Sequence, residues 1–279
     1  MRDVFLPRSL EKLWTYLDES PGALVFAGGT DLLVKTFNGF PEGEALVCLD
    51  RIDELKEICQ QGESIWIGAC ATHSGMVASR LVRNTLPALW KAVGEIGSPP
   101  VRNMGTIGGN ICTASPAGDT LPPLYAMKAE VEILCREGAR RLPIAQFIHG
   151  PGATGLQKAE IVSAVRIPKP QGLNLQHFEK VGLRSALACS VASLAALARL
   201  SPDRVVEEVS LAWGSVAPTV FTCPQAEETL VGRPLCAASL REAAEIVRHR
   251  VRPISDVRAD AEYRRTVAGN LLLRLGTLS

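Results

Sequence analysis

The sequence predicts an α+β protein of two domains, and three observations carry that prediction. Its 279 residues are enough for two modest cores. Helix and strand patterns alternate over the first fifty residues and give way to hairpins and short helices from Ile52. A proline-rich break, PKPQGLNLQ at 168–176, precedes a long apolar run and a helical tail. Hydrophobic residues at 47% and charged residues at 21% are those of an ordinary globular chain. The net charge is +1, with no basic block to suit nucleic acid.

In order along the chain, Ser9 is placed to cap a helix with Leu10, Leu13, Trp14 and Leu17 on one face, ended by Pro21-Gly22. Ala23–Phe26 reads as a short buried strand, and Thr30 or Asp31 can cap the short helix that follows. Ala45–Asp50 and Ser64–Gly68 read as strands, and Ala88–Ile96 as a helix. Glu130–Cys135 and Arg141–Ile144 pair across Glu137-Gly138, and Glu160–Ile167 is a further strand closed by Pro168 and Pro170. The uncharged run Ser185–Ala198 is 14 residues, too short for a membrane span, and its periodicity does not separate helix from strand. Val205–Ala217 alternates as a strand, with Val205, Glu207, Val209, Leu211 and Trp213 on one side. Helices follow at Pro224–Leu230, Ser239–His249 and Ala259–Leu275.

Two glycine-rich stretches stand out: LVFAGGTDLLV at 24–34 and VRNMGTIGGNICTASPAGD at 101–119. Glycine permits positive φ and close backbone approach, and successive N–H groups in such a turn can form a nest for phosphate oxygens. The second stretch adds Thr106, Asn110, Thr113, Ser115 and Asp119, enough polar groups to follow an elongated ligand. Two Gly-Gly loops suggest a dinucleotide held from two sides. Asp31 would repel a phosphate, so it is expected to turn away and bond backbone N–H groups. Neither stretch is a Walker loop or a G-x-G-x-x-G between strand and helix.

The pair AGGTDLL and VRNMGTIGGNICTASPAGDTLPPL resembles the two flavin-binding motifs of the FAD-binding (medium) subunit of molybdenum hydroxylases, the family of xanthine and aerobic carbon monoxide dehydrogenases. The resemblance runs through nearly the whole chain, with the motifs in the family's order and spacing. It implies a two-subdomain FAD-binding domain of the vanillyl-alcohol-oxidase type at 1–172, split at about 52. It also implies a small α+β domain at 173–279, a three-stranded antiparallel sheet with helices. By the same resemblance, Ala27, Gly28, Gly29, Thr30, Asp31 and Leu32 match the pyrophosphate loop, and Thr106, Ile107, Gly108, Gly109 and Asn110 the second flavin loop. Ser115 and Asp119 match the polar positions after it, and Lys180 a lysine near the flavin. Three positions depart from the family pattern: Pro100 where Gln is common, Met104 where Arg is usual, and Lys128 where Asp is frequent.

No G-x-S-x-G elbow and no H-E-x-x-H occurs, and the four histidines are scattered, so no catalytic side chain is expected. The eight cysteines include no C-x-x-C and read as buried free thiols, which leaves metal ligation to other chains. The N-terminal MRDVFLPRSLEKL carries charges where an export signal needs an apolar core, so cytoplasm is expected. The resemblance therefore implies one non-covalent FAD on this chain, a molybdopterin-binding large partner, a 2Fe–2S small partner, and NAD or another final acceptor. A free-standing FAD oxidoreductase and a flavin-free assembly subunit are the alternatives.

Overall fold

The computed structural model describes residues 3–36 and 45–278. The chain opens with β1 (Val4–Phe5), α1 (Leu10–Glu19), β2 (Leu24–Phe26), α2 (Leu32–Lys35) and β3 (Leu46–Cys48). The Lys12 N–H donates to the Ser9 hydroxyl at 3.2 Å, as the capping pattern predicts. β3 lies between β1 and β2 and is parallel to both. Leu13 and Leu17 of α1 pack on Val47, Ile52 and Leu55, which closes a small first core. Only Leu46–Cys48 of the expected Ala45–Asp50 strand pairs, because the chain then turns through 3-10 turns at Leu49–Arg51 and Asp53–Leu55.

Next come β4 (Ile58–Gln61), β5 (Ser64–Gly68) and a run of short helices: α3 (His73–Ala78), α4 (Arg80–Thr85), α5 (Pro87–Gly94), α6 (Pro99–Met104), α7 (Ile107–Thr113) and α8 (Leu121–Ala126). They are followed by β6 (Glu130–Cys135), β7 (Gly138–Pro143), α9 (Ile144–Phe147), β8 (Ile148–Gly150), β9 (Ala153–Thr154) and β10 (Ile161–Pro168). β4-β5-β10-β6-β7 form an antiparallel sheet. The second strand of the expected hairpin starts three residues earlier than its alternation suggested, and Ile144 opens α9 instead of ending the strand. Ile65, Ile67, Val131, Ile133 and Val165 of this sheet pack with Leu89, Ile107, Ile111 and Leu124 of the helices in the largest core.

The last part is β11 (Leu175–Gly182), β12 (Ser190–Leu200), β13 (Val206–Gly214), β14 (Phe221–Thr222), α10 (Pro224–Leu230), α11 (Ala237–Arg250) and α12 (Ala261–Arg274). Its sheet runs β11-β12-β13-β14, all antiparallel. The three long strands are those expected, and β14 adds a two-residue edge. One face buries Leu194, Ala196, Leu211 and Trp213 against α11 and α12, with the Trp213 indole N–H donating to the Ala268 carbonyl at 3.1 Å. The other face gives Phe178, Ala195, Leu197 and Ala212 to the largest core. β12 is therefore buried on both faces, which explains why its sequence shows no alternation. Among the described residues no helix is long and apolar enough to cross a membrane.

Phe178 stands on β11 yet fills the core beneath α5 and α8, fully buried. Phe178→Ala should lower stability by about 3–5 kcal/mol. Urea unfolding of parent and variant checks this through a lower midpoint at an unchanged slope.

Candidate functional site

β2 delivers the chain into the first glycine stretch. A Cβ on Gly28 would overlap the Met104 carbonyl oxygen, so only glycine lets this turn dock on the end of α6. Gly29 has φ +69°, in the left-handed region. Among the described residues, the N–H groups of Gly28, Gly29, Thr30, Asp31 and Leu32 meet no protein acceptor, whereas that of Leu33 donates to the Gly29 carbonyl at 3.0 Å. Asp31 sits at the N-cap position of α2 but its side chain does not cap it. Nor does it bond backbone N–H groups as expected. It accepts from the Thr113 hydroxyl at 3.0 Å and from the Lys35 ammonium at 2.7 Å, stronger donors within reach.

The second stretch is built differently. Ser98 caps α6, and Pro99 and Pro100 occupy its first turn, where no N–H is needed, so the Pro100 departure suits this helix start. Arg102 donates to the carbonyls of Ile96 and Gly97 at 2.8 and 2.9 Å and clamps the preceding turn. Thr106 then caps α7 through the Gly109 N–H, at 3.2 Å. The expectation of an N–H nest here is corrected. Ile107 donates to Ala71, Gly108 to Ala69, and Asn110 to the Thr106 carbonyl, so this first turn has no free donor. Its glycines serve approach instead of dihedral freedom. A Cβ on Gly108 would lie 2.5 Å from that of Ala69, so the helix packs directly on the chain leaving β5. Gly109 has only the Thr106 hydroxyl near where its Cβ would be. Lys128, where the resembled family often has Asp, has φ +53°, a conformation that Asp and Asn tolerate better than Lys.

Between the two stretches lies a cavity of about 390 Å³. Ala27, Gly28, Gly29, Thr30, Asp31, Leu32, Thr106, Gly109 and Asn110 line it, which brings nine of the predicted residues together. Five others do not line it. Ile107 is in the core, Gly108 packs on Ala69, and Ser115 accepts from the Ala117 N–H in the turn after α7. Asp119 and Lys180 form a buried ion pair at 2.6 Å. Lys180 also donates to the carbonyls of Glu95 and Ala188, and the Ser190 hydroxyl donates to Asp119. Burial raises the Asp119 carboxyl above its ordinary value, opposed by the Lys180 charge and the Ser190 hydroxyl.

Thr113, one of the polar groups the sequence offered for an elongated ligand, lines the cavity, whereas sequence reasoning missed Lys35, His73 and Cys112 as lining residues. His73 starts α3, and its backbone N–H donates to the Gly105 carbonyl at 2.9 Å, beside the bridge between Thr72 and Thr106. Its ring is 3% exposed and its Nδ1 has no partner among the described residues. Burial, with the Arg102 charge adding, pulls its pKa down to about 4, and burial pushes the Cys112 thiol up to about 12. Both are neutral at pH 7, so the wall offers no charged acid or base beyond the Asp31–Lys35 pair. Open backbone donors from one wall and a close-packed second wall whose backbone N–H groups are already bonded suit an elongated anionic ligand such as FAD.

Comparison with known proteins gives the same direction. The family model described as the FAD binding domain in molybdopterin dehydrogenase matches residues 1–170, and the CO dehydrogenase flavoprotein C-terminal domain matches 177–277. The chain is 33% identical to a xanthine dehydrogenase FAD-binding subunit of Escherichia coli O157:H7, over 89% of this chain and 85% of that one. It is 30% identical to the carbon monoxide dehydrogenase medium chain of Hydrogenophaga pseudoflava, over 90% and 87%. A solved Cu,Mo-CO dehydrogenase superposes with a TM-score of 0.91 at 29% identity, covering 98% of this chain and 95% of that chain.

The buried neutral His73 makes stability depend on pH in a defined window. Its folded pKa, about 4, lies below the ordinary 6.5, so the unfolded chain takes up the proton first. Stability on this account is intact above pH 6.5 and is lost as pH falls toward 4, by about 3 kcal/mol. Urea unfolding across that window should show parent and His73→Leu diverging by this amount. Parallel pH profiles would mean that the ring charges freely in the fold.

Proposed function

We propose, for a chain that belongs to the FAD-binding medium subunits of the molybdenum hydroxylases, the role of electron carrier within a cytoplasmic heterotrimeric complex. In this reading a large partner oxidises the substrate at a molybdenum cofactor, and a small partner passes the electrons through 2Fe–2S clusters to this chain. The final acceptor is NAD or another oxidant. The observation that carries the reading is the row of N–H groups from Gly28 to Leu32, without an acceptor among the described residues, along a cavity whose lining charges are the Asp31–Lys35 pair.

FAD, when bound, supplies the redox chemistry, since flavins exchange electrons singly and in pairs. The residues of this chain bind and orient. The Gly28–Leu32 N–H groups would hold the pyrophosphate, with Lys35 offsetting the Asp31 charge beside them. Thr106, Gly109 and Asn110 would form the opposite wall, while Ile107, Gly108, Ser115, Asp119 and Lys180 keep that wall in place from behind. We assign the cofactor to residues 1–172, with subdomains meeting near 52, and a bracing role to residues 173–279. A thiol at Cys112 pushed to about 12 is almost wholly protonated at pH 7, which supports non-covalent attachment.

The purified chain should carry about one FAD, released by acid, and should oxidise neither purines nor aldehydes alone. Co-expression with the two proposed partners should yield a complex that does turn over. Colour that stays with the acid-precipitated protein, or turnover without partners, would overturn the proposal.

Two glycine variants separate lining from packing. Gly109→Val puts a branched side chain in the cavity and should abolish FAD retention in a folded protein, read by absorbance and circular dichroism. Gly108→Val drives its side chain into Ala69 and should destabilise the fold itself. Full FAD retention by folded Gly109→Val would remove α7 from the cofactor site.

A further inference from the structure

Thr120 stands at the N-cap position of α8, where a threonine hydroxyl ordinarily accepts from its own helix. Here it does not cap α8. The side chain is fully buried, and its hydroxyl instead meets the side-chain oxygen of Asn110, ten residues back on α7. Among the described residues no other acceptor takes its proton. A buried hydroxyl rarely goes unpaired, so the proton belongs to Asn110 Oδ1.

That bond fixes which way the carboxamide faces. An asparagine side chain has an acceptor end and a donor end, and they point in different directions. With Oδ1 held by Thr120, the NH2 group is the end left over. It meets no acceptor among the described residues and is not one of their buried unpartnered atoms, so it retains accessible surface. Asn110 lines the cleft between the glycine stretches, and Thr120 behind it does not.

The surrounding backbone gives this donor its importance. The N–H groups of Ile107, Gly108, Gly109 and Asn110 are all bonded within the fold, so a hydrogen bond from this turn to a ligand has to come from a side chain. Thr120 is held on both sides. Asp119, the residue before it, is bonded to Lys180 and Ser190, and the Leu124 N–H donates to the Thr120 carbonyl at 3.2 Å. The hydroxyl is thus delivered to Asn110 from a fixed backbone, the support a ligand-facing side chain needs to keep one orientation.

We propose that Thr120 is a positioning residue of the cofactor site: it holds the Asn110 carboxamide with its NH2 group toward the cleft, where that group donates to an acceptor oxygen of FAD. The inference rests on the FAD reading given above. Without the Thr120 hydroxyl the carboxamide is free to rotate, and an oxygen turned to the cleft would repel the acceptor that the NH2 group attracts.

The test measures the FAD affinity of the full purified chain, stripped of flavin and titrated by quenching of flavin fluorescence, with thermal midpoints recorded alongside. Thr120→Val should weaken FAD binding at least about fivefold, the worth of one directed hydrogen bond. Thr120→Ser keeps the hydroxyl and should bind as the parent does. Asn110→Ala should weaken FAD binding to a similar degree, and adding Thr120→Val to it should weaken binding no further, because the two residues act as one unit. A merely structural threonine would give additive losses instead. Should Thr120→Val fail to fold, Thr120→Ala is read in its place, and failure of both would make the hydroxyl a structural group and overturn the proposal. Full FAD affinity in Thr120→Val, or additive losses in the double variant, overturns it while the FAD reading stands. A parent chain that binds no FAD removes both.

Discussion

The buried ion pair between Asp119 and Lys180 is the constraint on which the rest of the arrangement depends. Asp119 ends the second glycine stretch, Lys180 lies mid-strand on β11, and their other partners come from α5, β12 and the loop between β11 and β12. Taking two charges out of water is unfavourable unless every remaining bond is made. Here the ammonium has three acceptors, and both carboxylate oxygens are engaged. Such a cluster tolerates one geometry. It holds the end of the α7–α8 segment to the C-terminal sheet, and the wall formed by Thr106, Gly109 and Asn110 keeps its position as a result.

The two glycine stretches then solve different physical problems. The first uses a left-handed Gly29 and a contact without Cβ at Gly28 to turn the chain sharply after β2, with five N–H groups that meet no acceptor among the described residues. The second uses Gly108 to bring a helix against Ala69 and satisfies its own donors on the way. The first wall presents backbone donors, and the second gives shape. Among the described residues, the charges lining this cleft are Asp31 and Lys35, and they pair with each other.

Much of this was legible in the sequence, for local reasons. Ser9 with its apolar stripe, the SIWIG alternation and the proline-opened helix at Pro224 each depend on neighbours within a few residues, and each reads correctly. The two glycine stretches, singled out together in the sequence, line one cavity. What escaped depended on distant partners. Asp31 meets Thr113 across 82 residues, and Asp119 meets Lys180 across 61. No spacing rule reports such pairs, so Asp31 was expected on backbone N–H groups. His73 was one of four scattered histidines until the bridge between Thr72 and Thr106 brought it to the cleft. β12, buried on both faces, lacked the alternation that would have declared it a strand.

The contact between Gly28 and Met104 has a further consequence. It is made by backbone on both sides: the α-carbon of one residue against the carbonyl of the other. The Met104 side chain takes no part and stands 52% exposed. The width of the cleft at this point is therefore independent of the chemistry displayed at its rim. Residue 104 can change in character without moving the turn that carries the Gly28–Leu32 N–H groups. Surface character at this rim can thus vary while the backbone contact that sets the turn stays the same.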